Sequence, residues 1–232
     1  MQTLGLIGGI APASTIDYYR LLVEEYRARR PDGSYPTIII NSINLQYFLS
    51  LVAAPDRMPL TDYLLRELAR LARAGADFGL FCSNTPHLVF DEVQARSPIP
   101  LVSIVEATGD GAAAQGLKNV GLIGTRFTME GGFYPRVFAR HGISVMIPDE
   151  ADRAWVHEHY LGELANGVFH ASTREGMTGV INRMREKAGI DGVILGGTEL
   201  PLLFRHARPI GLPLLDTTRL HVDRAIARLL GS

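Results

Sequence analysis

An internal repeat, with an offset of about 115 residues, constrains the fold of this 232-residue chain more than any other feature. Three pairs of segments align in the same order along the two halves. They are residues 74–85 with 188–199 (offset 114), residues 5–8 with 121–124 (offset 116), and residues 99–102 with 212–215 (offset 113). Three matches in one order indicate a duplication, so one half predicts the architecture of the other.

The content of each half predicts an α/β fold. Short apolar runs bounded by turn residues are typical of buried strands, and amphipathic helical patterns separate them, as in residues 60–72. This alternation predicts parallel sheets with helical crossovers. The expected strands are Thr3 to Gly8, Thr37 to Asn41, Asp77 to Cys82, Pro100 to Ser103, Val120 to Gly124, Ser144 to Ile147, Gly192 to Gly196 and Pro213 to Asp216. We predict one lobe from residues 1–98 plus 210–232 and a second from residues 99–209.

The duplication also predicts where a ligand would bind. Two duplicated halves that pack together should be related by a pseudo-twofold axis, with equivalent strand ends facing each other across a cleft. Ligands of open parallel sheets lie beyond the carboxyl ends of the strands. Four such ends are expected to matter, namely Gly8-Gly9, Ser83-Asn84-Thr85, Gly124-Thr125 and Gly197-Thr198-Glu199.

The residue types at these ends favour a small carboxylate. Glycine allows close backbone approach, while hydroxyl and amide side chains and N–H groups at helix starts donate hydrogen bonds to an anion. The alternative is that these side chains serve only as helix caps. The candidate substrate-binding residues are Gly9, Asn84, Thr85, Thr125, Thr128 and Thr198.

Other functions find little support in the sequence. A formal net charge of -1 provides no basic surface for nucleic acid, and no apolar run approaches the ~20 residues of a membrane helix. The Gly5–Pro12 segment matches neither nucleotide-binding motif, so no nucleotide cofactor is expected. We predict no metal, because His157 and His159 lack the spacing of a zinc site. The single cysteine, Cys82, indicates a reducing compartment, and we expect a cytoplasmic location.

Several motifs in order make the chain resemble the aspartate/glutamate racemase family, and the likeness spans nearly the whole chain. The motifs are Gly5-Leu6-Ile7-Gly8-Gly9, Ser14 to Arg20, Ser83 to His87, Leu122 to Glu130 and Gly196 to Pro201. The resemblance implies a cofactor-independent amino-acid racemase, usually a homodimer, with one catalytic residue from each lobe. One residue removes the α-proton and the other delivers a proton to the opposite face.

This chain departs from the family at both catalytic positions. The family motifs are Cys-Asn-Thr and Gly-Cys-Thr-Glu, but here Ser83 replaces the first cysteine and Gly197 the second. A hydroxyl at the first position also occurs in similar family members. Glycine has no group that can transfer a proton, so the second face of the substrate lacks an evident acid or base.

Nearby side chains could substitute for the missing groups. Strand alternation predicts that Cys82 faces the core if Ser83 faces the cleft, although a turn beginning at Cys82 would change this. His87 could activate Ser83 if a helix starts at Asn84. Glu199 could carry a proton near the Gly197 position, or merely orient a neighbour at a helix start.

The expected substrate is an amino acid with a neutral or apolar side chain. Aspartate-specific relatives place cations in the segments that correspond to residues 45–48 and 162–166, and neither segment has a cation here. An unpaired buried carboxylate would cost several kcal/mol. Four readings remain open: a racemase of broadened specificity, a decarboxylase or isomerase that needs protonation from one face, a non-catalytic carboxylate-binding protein, and a variant inactivated at both cysteine positions.

Overall fold

The chain forms two compact α/β units. The structure is a computed structural model that describes residues 2–205 and 210–231. Unit 1 comprises Met1–Ile104 together with His221–Ser232, and unit 2 comprises Val105–Leu220.

Unit 1 contains a parallel sheet in the order β2-β1-β3. Its strands are β1 (Thr3–Gly8), β2 (Thr37–Ser42) and β3 (Phe78–Phe81). β1 and β3 are buried almost throughout, as expected of strands covered by helices on both faces. The helices that lie between or after these strands are α1 (Pro12–Arg29), α2 (Leu45–Ala53), α3 (Met58–Arg73) and α4 (Phe90–Arg96).

Unit 2 contains a parallel sheet in the order β5-β4-β6-β7. Its strands are β4 (Asn119–Gly124), β5 (Ser144–Met146), β6 (Gly192–Gly196) and β7 (Leu214–Asp216). α5 starts at the boundary between the units and α11 ends in unit 1. The helices are α5 (Ile104–Ala114), α6 (Arg126–Met129), α7 (Phe133–Phe138), α8 (Glu150–Gly162), α9 (Ala171–Ala188), α10 (Leu200–Phe204) and α11 (Thr217–Leu230).

The strand registers of the two sheets are equivalent. Leu4 of β1 lies opposite Phe78 of β3, and the residues aligned with them, Val120 of β4 and Gly192 of β6, also lie opposite each other. Because a slip of one residue would turn every side chain to the other face, the same register in both sheets requires the same inward and outward pattern. The predicted α/β duplication is therefore confirmed at the level of strand pairing.

Hydrogen bonds at the start of the central strands repeat in the same way. The Asp77 carboxylate accepts a hydrogen bond from Thr3 N at 2.6 Å, and Asp77 N donates to Thr3 O at 2.9 Å. In unit 2 the carboxylate of Asp191 accepts from Asn119 N at 3.0 Å, while Asp191 N donates to Asn119 O at 2.8 Å. The aspartate that the repeat preserves thus joins two neighbouring strands in each unit.

The core of unit 1 lies where β1 and β3 pack against α1 and α11. Leu4, Phe78 and Ile226 are fully buried there. A polar link crosses this core, because the Tyr18 hydroxyl lies 2.8 Å from His221 Nδ1 and His221 Nε2 donates to Val102 O at 2.9 Å.

The boundaries of the units differ from the predicted ones. Residues 99–104 remain in unit 1, because Leu101 bridges to Gly79 and Val102 N donates to Gly79 O at 2.9 Å. Residues up to Leu220 belong to unit 2, since β7 pairs with β6. The predicted end of the second lobe at residue 209 lies outside the described residues. The strand expected at Pro100 to Ser103 is reduced to that single bridge, and α3 begins at Met58, two residues before the amphipathic pattern of residues 60–72.

Candidate functional site

The turn after β1 can be built only with glycine at position 9. Gly9 has φ +85°, and a Cβ there would lie 2.9 Å from Ile43 N and closer still to Ile43 O. The Gly9 N–H donates to Thr15 Oγ1 at 2.8 Å, so α1 already binds this donor. Gly9 therefore shapes the strand end, and its N–H is engaged in this conformation.

The end of β3 presents two buried hydroxyl groups. Ser83 and Thr85 are 6% and 7% exposed. Within the described parts of the chain, neither side-chain hydroxyl makes a hydrogen bond to another residue. Asn84 between them is also buried, and its carbonyl oxygen accepts from His87 N at 3.0 Å as a short 3₁₀ turn, Thr85–Val89, begins. The Ser83 and Thr85 hydroxyls are thus available to a ligand.

His87 is a neutral imidazole at physiological pH. Burial, with a smaller contribution from His221, lowers the pKa of His87 to about 3. Nδ1 lies 3.2 Å from the Asn84 carbonyl oxygen, and a carbonyl can only accept, so Nδ1 carries the proton. The ring also stacks on Phe90 with centroids 4.5 Å apart. A histidine with so low a pKa is a weak base for activating Ser83.

Cys82 lies in the core of unit 1 and not with the polar residues of the strand end. It is fully buried in the same apolar cluster as Leu6 and Leu80. Burial raises the pKa of its thiol well above the usual range, so the thiolate is scarce at neutral pH. We therefore assign Cys82 to packing and leave it out of the proposed proton-transfer groups.

In unit 2 the end of β4 is organised by two threonines. Thr125 caps α6, because its Oγ1 accepts from Thr128 N at 3.3 Å, and the two hydroxyl oxygens lie 3.2 Å apart. Both side chains are buried. Capping explains their residue type, and any ligand role would have to use hydrogen bonds beyond these.

The end of β6 holds a buried polar cluster, which we call the Tyr160 cluster: Tyr160, Thr198 and Glu199. The Tyr160 hydroxyl, from α8, donates a short hydrogen bond to Glu199 Oε2, and Thr198 Oγ1 donates to the same oxygen at 3.2 Å. Tyr160 is 5% exposed and Glu199 1% exposed. Burial and the neighbouring Glu199 carboxylate raise the pKa of Tyr160 well above its usual range, so its hydroxyl stays protonated at neutral pH.

Tyr160 fills the space beside Gly197. A Cβ built on Gly197 would lie 2.6 Å from Tyr160 Cζ, and closer still to Cε2 and the hydroxyl oxygen. A side chain at position 197 and the ring of Tyr160 therefore cannot occupy their present positions together. The sequence analysis did not include Tyr160 among the candidate site residues. The available signal was Gly197 itself, because a glycine at a buried strand end leaves space that another side chain must fill.

The two histidines before Tyr160 are engaged separately. His157 Nδ1 accepts from Arg126 N at 3.1 Å, while His159 stacks on Trp155 with ring centroids 4.0 Å apart. Over the described ranges, no three His, Cys, Asp or Glu side chains gather closely enough to bind a metal ion. Nor does any helix in residues 2–205 and 210–231 combine the length and apolar character needed to cross a bilayer.

Comparison with known proteins identifies the family. The family model for Asp/Glu/Hydantoin racemase matches residues 7–225. The chain belongs to this family. The resemblance seen in the sequence motifs is thereby confirmed at the level of the family.

Individual racemases of the family are also similar to the chain. The broad specificity amino-acid racemase RacX of Bacillus subtilis (strain 168) is 27% identical over 158 residues, which are 65% of this chain and 66% of RacX. The match thus spans just under two thirds of RacX. Glutamate racemase from Geobacter metallireducens (strain ATCC 53774 / DSM 7210 / GS-15) is 29% identical over 53% of this chain and 44% of its own length.

A solved structure extends the comparison over the whole chain. An aspartate racemase homologue from Pyrococcus horikoshii OT3 has 34% sequence identity and a TM-score of 0.82, covering 100% of both chains. Glutamate racemase from Francisella tularensis subsp. tularensis SCHU S4, in complex with D-glutamate, shares the fold at a TM-score of 0.70 and 16% identity, over 99% of this chain and 81% of its own.

Proposed function

We propose that this protein is an amino-acid racemase that needs no pyridoxal phosphate and acts at the α-carbon of a small amino acid. The observation that carries the proposal is the buried end of β3, where the hydroxyls of Ser83 and Thr85 are unengaged by the described residues. The chain belongs to a racemase family, and the motif Ser83-Asn84-Thr85 supports the assignment of Ser83 to the position of the first family cysteine.

The chemistry requires a carboxylate site and proton transfer on two faces. Removing the α-proton leaves a planar carbanion, and inversion follows only when a proton returns from the opposite side. We assign the first proton transfer to Ser83, whose hydroxyl needs an accepting group or water to take its proton. Asn84, Thr85, Thr125, Thr128 and Thr198 are the proposed substrate-binding residues, and Gly9 shapes the turn that follows β1.

The proposed substrates carry neutral or apolar side chains. Gln46 lies in the first turn of α2, at a segment where aspartate-specific relatives carry a cation. Glu163 accepts a short hydrogen bond from the Thr173 hydroxyl, and Asn166 donates to Gly162 O at 3.0 Å, so the corresponding segment of unit 2 adds no positive charge. The name of the relative RacX, broad specificity amino-acid racemase, supports a substrate range beyond aspartate and glutamate. A homodimer and a cytoplasmic location remain part of the proposal.

Proton NMR in heavy water tests this proposal. The enzyme is incubated separately with D- and L-forms of alanine, leucine, methionine, lysine and aspartate, and the products are resolved by chiral chromatography. We expect loss of the α-proton signal together with inversion for neutral amino acids. Ser83→Ala should lower the rate by ~10²-fold or more, as expected for a lost acid–base group.

Two further variants serve as controls. Ser172→Ala changes an exposed serine in the first turn of α9 and should leave the rate unchanged. Ser83→Cys introduces the thiol found in most of the family and should preserve or increase activity. Wild-type protein that exchanges no α-proton of any amino acid would refute the proposal, and a clear preference for aspartate would refute the substrate assignment.

A second candidate is an enzyme that protonates a carbanion from one face only, such as a decarboxylase or isomerase. The observation in its favour is Gly197, which removes the side chain from the second acid–base position. The same experiment separates the two, because α-proton exchange with retained configuration favours one-faced chemistry.

A further inference from the structure

The space that Gly197 leaves at the end of β6 is filled by a side chain that can carry a proton. The distal ring and hydroxyl of Tyr160 overlap the volume that a Cβ at position 197 would enter, with Cζ 2.6 Å from it. The hydroxyl therefore lies close to where the acid–base atom of a side chain at position 197 would be. Tyr160 reaches this place from the last turn of α8, far away in sequence.

The Tyr160 hydroxyl has a partner to which it can pass its proton. It donates to Glu199 Oε2, which also accepts from Thr198 Oγ1 at 3.2 Å. Two hydrogen bonds to one carboxylate oxygen hold it in the position of an acceptor. The three residues belong to unit 2, and all are at least nine-tenths buried, so the arrangement is fixed by packing within one unit.

We propose that Tyr160 is the second proton-transfer group of this enzyme, in place of the missing side chain at position 197, and that Glu199 is its proton acceptor. This inference rests on the proposed racemase function and goes beyond it, since it names the second proton-transfer group that inversion requires.

The step is a proton relay that conserves charge. In the forward direction the phenol oxygen takes the α-proton as the C–H bond breaks, and its own proton passes to the Glu199 carboxylate. The products are a substrate carbanion, a neutral tyrosine and a neutral glutamic acid. In the reverse direction Glu199 returns its proton to the phenol oxygen while the hydroxyl proton goes to the carbanion. Tyrosine is never a free phenolate in either direction.

The electrostatics of the Tyr160 cluster favour this relay over a tyrosinate base. Burial and the adjacent carboxylate both raise the pKa of Tyr160, so a phenolate beside Glu199 would be strongly disfavoured. A relay avoids placing two negative charges on neighbouring groups, because the proton moves to Glu199 as the new one arrives.

The experiment measures α-proton exchange in heavy water from each enantiomer separately, using alanine and methionine as probes. In a two-base reaction each base removes the proton of one enantiomer. Tyr160→Phe should lower exchange from one enantiomer by ~10²-fold or more, and Ser83→Ala should do so for the other. The enantiomer that still exchanges in Tyr160→Phe should keep its configuration. Glu199→Gln should reproduce the selectivity of Tyr160→Phe.

The matched control is Tyr134→Phe, which removes another buried tyrosine hydroxyl of unit 2 on α7. It should leave exchange from both enantiomers unchanged. Circular dichroism and the substrate concentration at half-maximal rate establish that each variant is folded and binds substrate.

Rescue provides a second test that does not depend on the stability of Tyr160→Phe. Tyr160→Ala opens the space beside Gly197 and should lose α-proton exchange from the same enantiomer as Tyr160→Phe. Adding Gly197→Cys to Tyr160→Ala supplies a thiol at the family position and should restore at least part of the lost exchange.

The outcomes separate the two proposals. If folded Tyr160→Phe racemises at the wild-type rate, or loses exchange from both enantiomers equally, the role of Tyr160 is refuted while the racemase function stands. If Tyr160→Ala with Gly197→Cys exchanges the α-proton no faster than Tyr160→Ala alone, that result also counts against the role of Tyr160. If wild-type protein exchanges no α-proton, both proposals are refuted.

Discussion

Replacing Gly197 with alanine tests whether Tyr160 occupies the space beside this strand end. The added methyl group would lie 2.6 Å from Tyr160 Cζ, well inside the contact distance of two carbon atoms, so the ring or the strand must move. Inserting a methyl group into a packed interior costs about 1–3 kcal/mol. If the ring moves, its hydrogen bond to Glu199 is lost, and a hydrogen bond to a charged group is worth about 1.5–3 kcal/mol.

The two costs are not additive, because displacing the ring relieves part of the steric clash. Alanine also reduces the entropy of the unfolded chain, which stabilises by about 0.4–1 kcal/mol where the backbone permits. We therefore expect Gly197→Ala to lower the free energy of unfolding by about 2–4 kcal/mol. Urea denaturation followed by circular dichroism measures this quantity.

Gly162→Ala is the matched control, since Gly162 ends α8 and a Cβ there has nothing within 4 Å. It should be neutral or stabilise by up to about 1 kcal/mol. In a Tyr160→Ala background, Gly197→Ala should cost less than about 0.5 kcal/mol, as the double-mutant cycle isolates the contact. If Gly197→Ala costs no more than Gly162→Ala in the wild-type background, the steric argument is refuted.

Three further predictions concern unit 1. Cys82→Ala should lower the free energy of unfolding by about 1–2 kcal/mol but leave the rate per folded molecule unchanged. Thiol labelling in the native state should be slow, and a loss of catalysis in the folded variant would contradict the packing role. Gly9→Ala should destabilise the protein more than Gly33→Ala does. The two glycines have similar positive φ (+85° and +83°), but a Cβ on Gly9 would also clash with the Ile43 backbone. Equal losses of stability in urea titrations would contradict this. Burial lowers the pKa of His221 to about 4, below its unfolded value of about 6.5, so the unfolded state binds the proton first. The free energy of unfolding should therefore fall as pH drops from about 6.5 towards 4, by up to about 1.4 kcal/mol per pH unit for this group. His221→Gln should flatten that slope in denaturation measured across pH, and an unchanged slope would be evidence against the role of His221.

Much of the fold could be predicted from the repeat and the apolar runs. β6 runs from Gly192 to Gly196 as predicted, and the aligned pairs Leu4–Phe78 and Val120–Gly192 share one register. The strand alternation that placed Cys82 inward agrees with its position in the core. The boundaries between the units were less predictable, because residues 99–104 join unit 1 through a bridge and backbone hydrogen bonds to Gly79 and not through a full strand.

The candidate site was likewise predictable only in part from the sequence. The motifs located Ser83 and Gly197 at equivalent strand ends, since motif spacing along the chain is enough to align two repeats. They could not supply Tyr160, whose hydroxyl reaches Glu199 across 39 positions of sequence.

The sequence alone determined the α/β duplication and the family, and it predicted the catalytic positions at Ser83 and Gly197, because each depends on residue order and type. Only the tertiary structure decided which side chain takes the place left by Gly197, because the overlap of two groups in space depends on how α8 packs against the end of β6. The same holds for the availability of the Ser83 hydroxyl and the low pKa of His87, which follow from burial and neighbours that no local segment encodes.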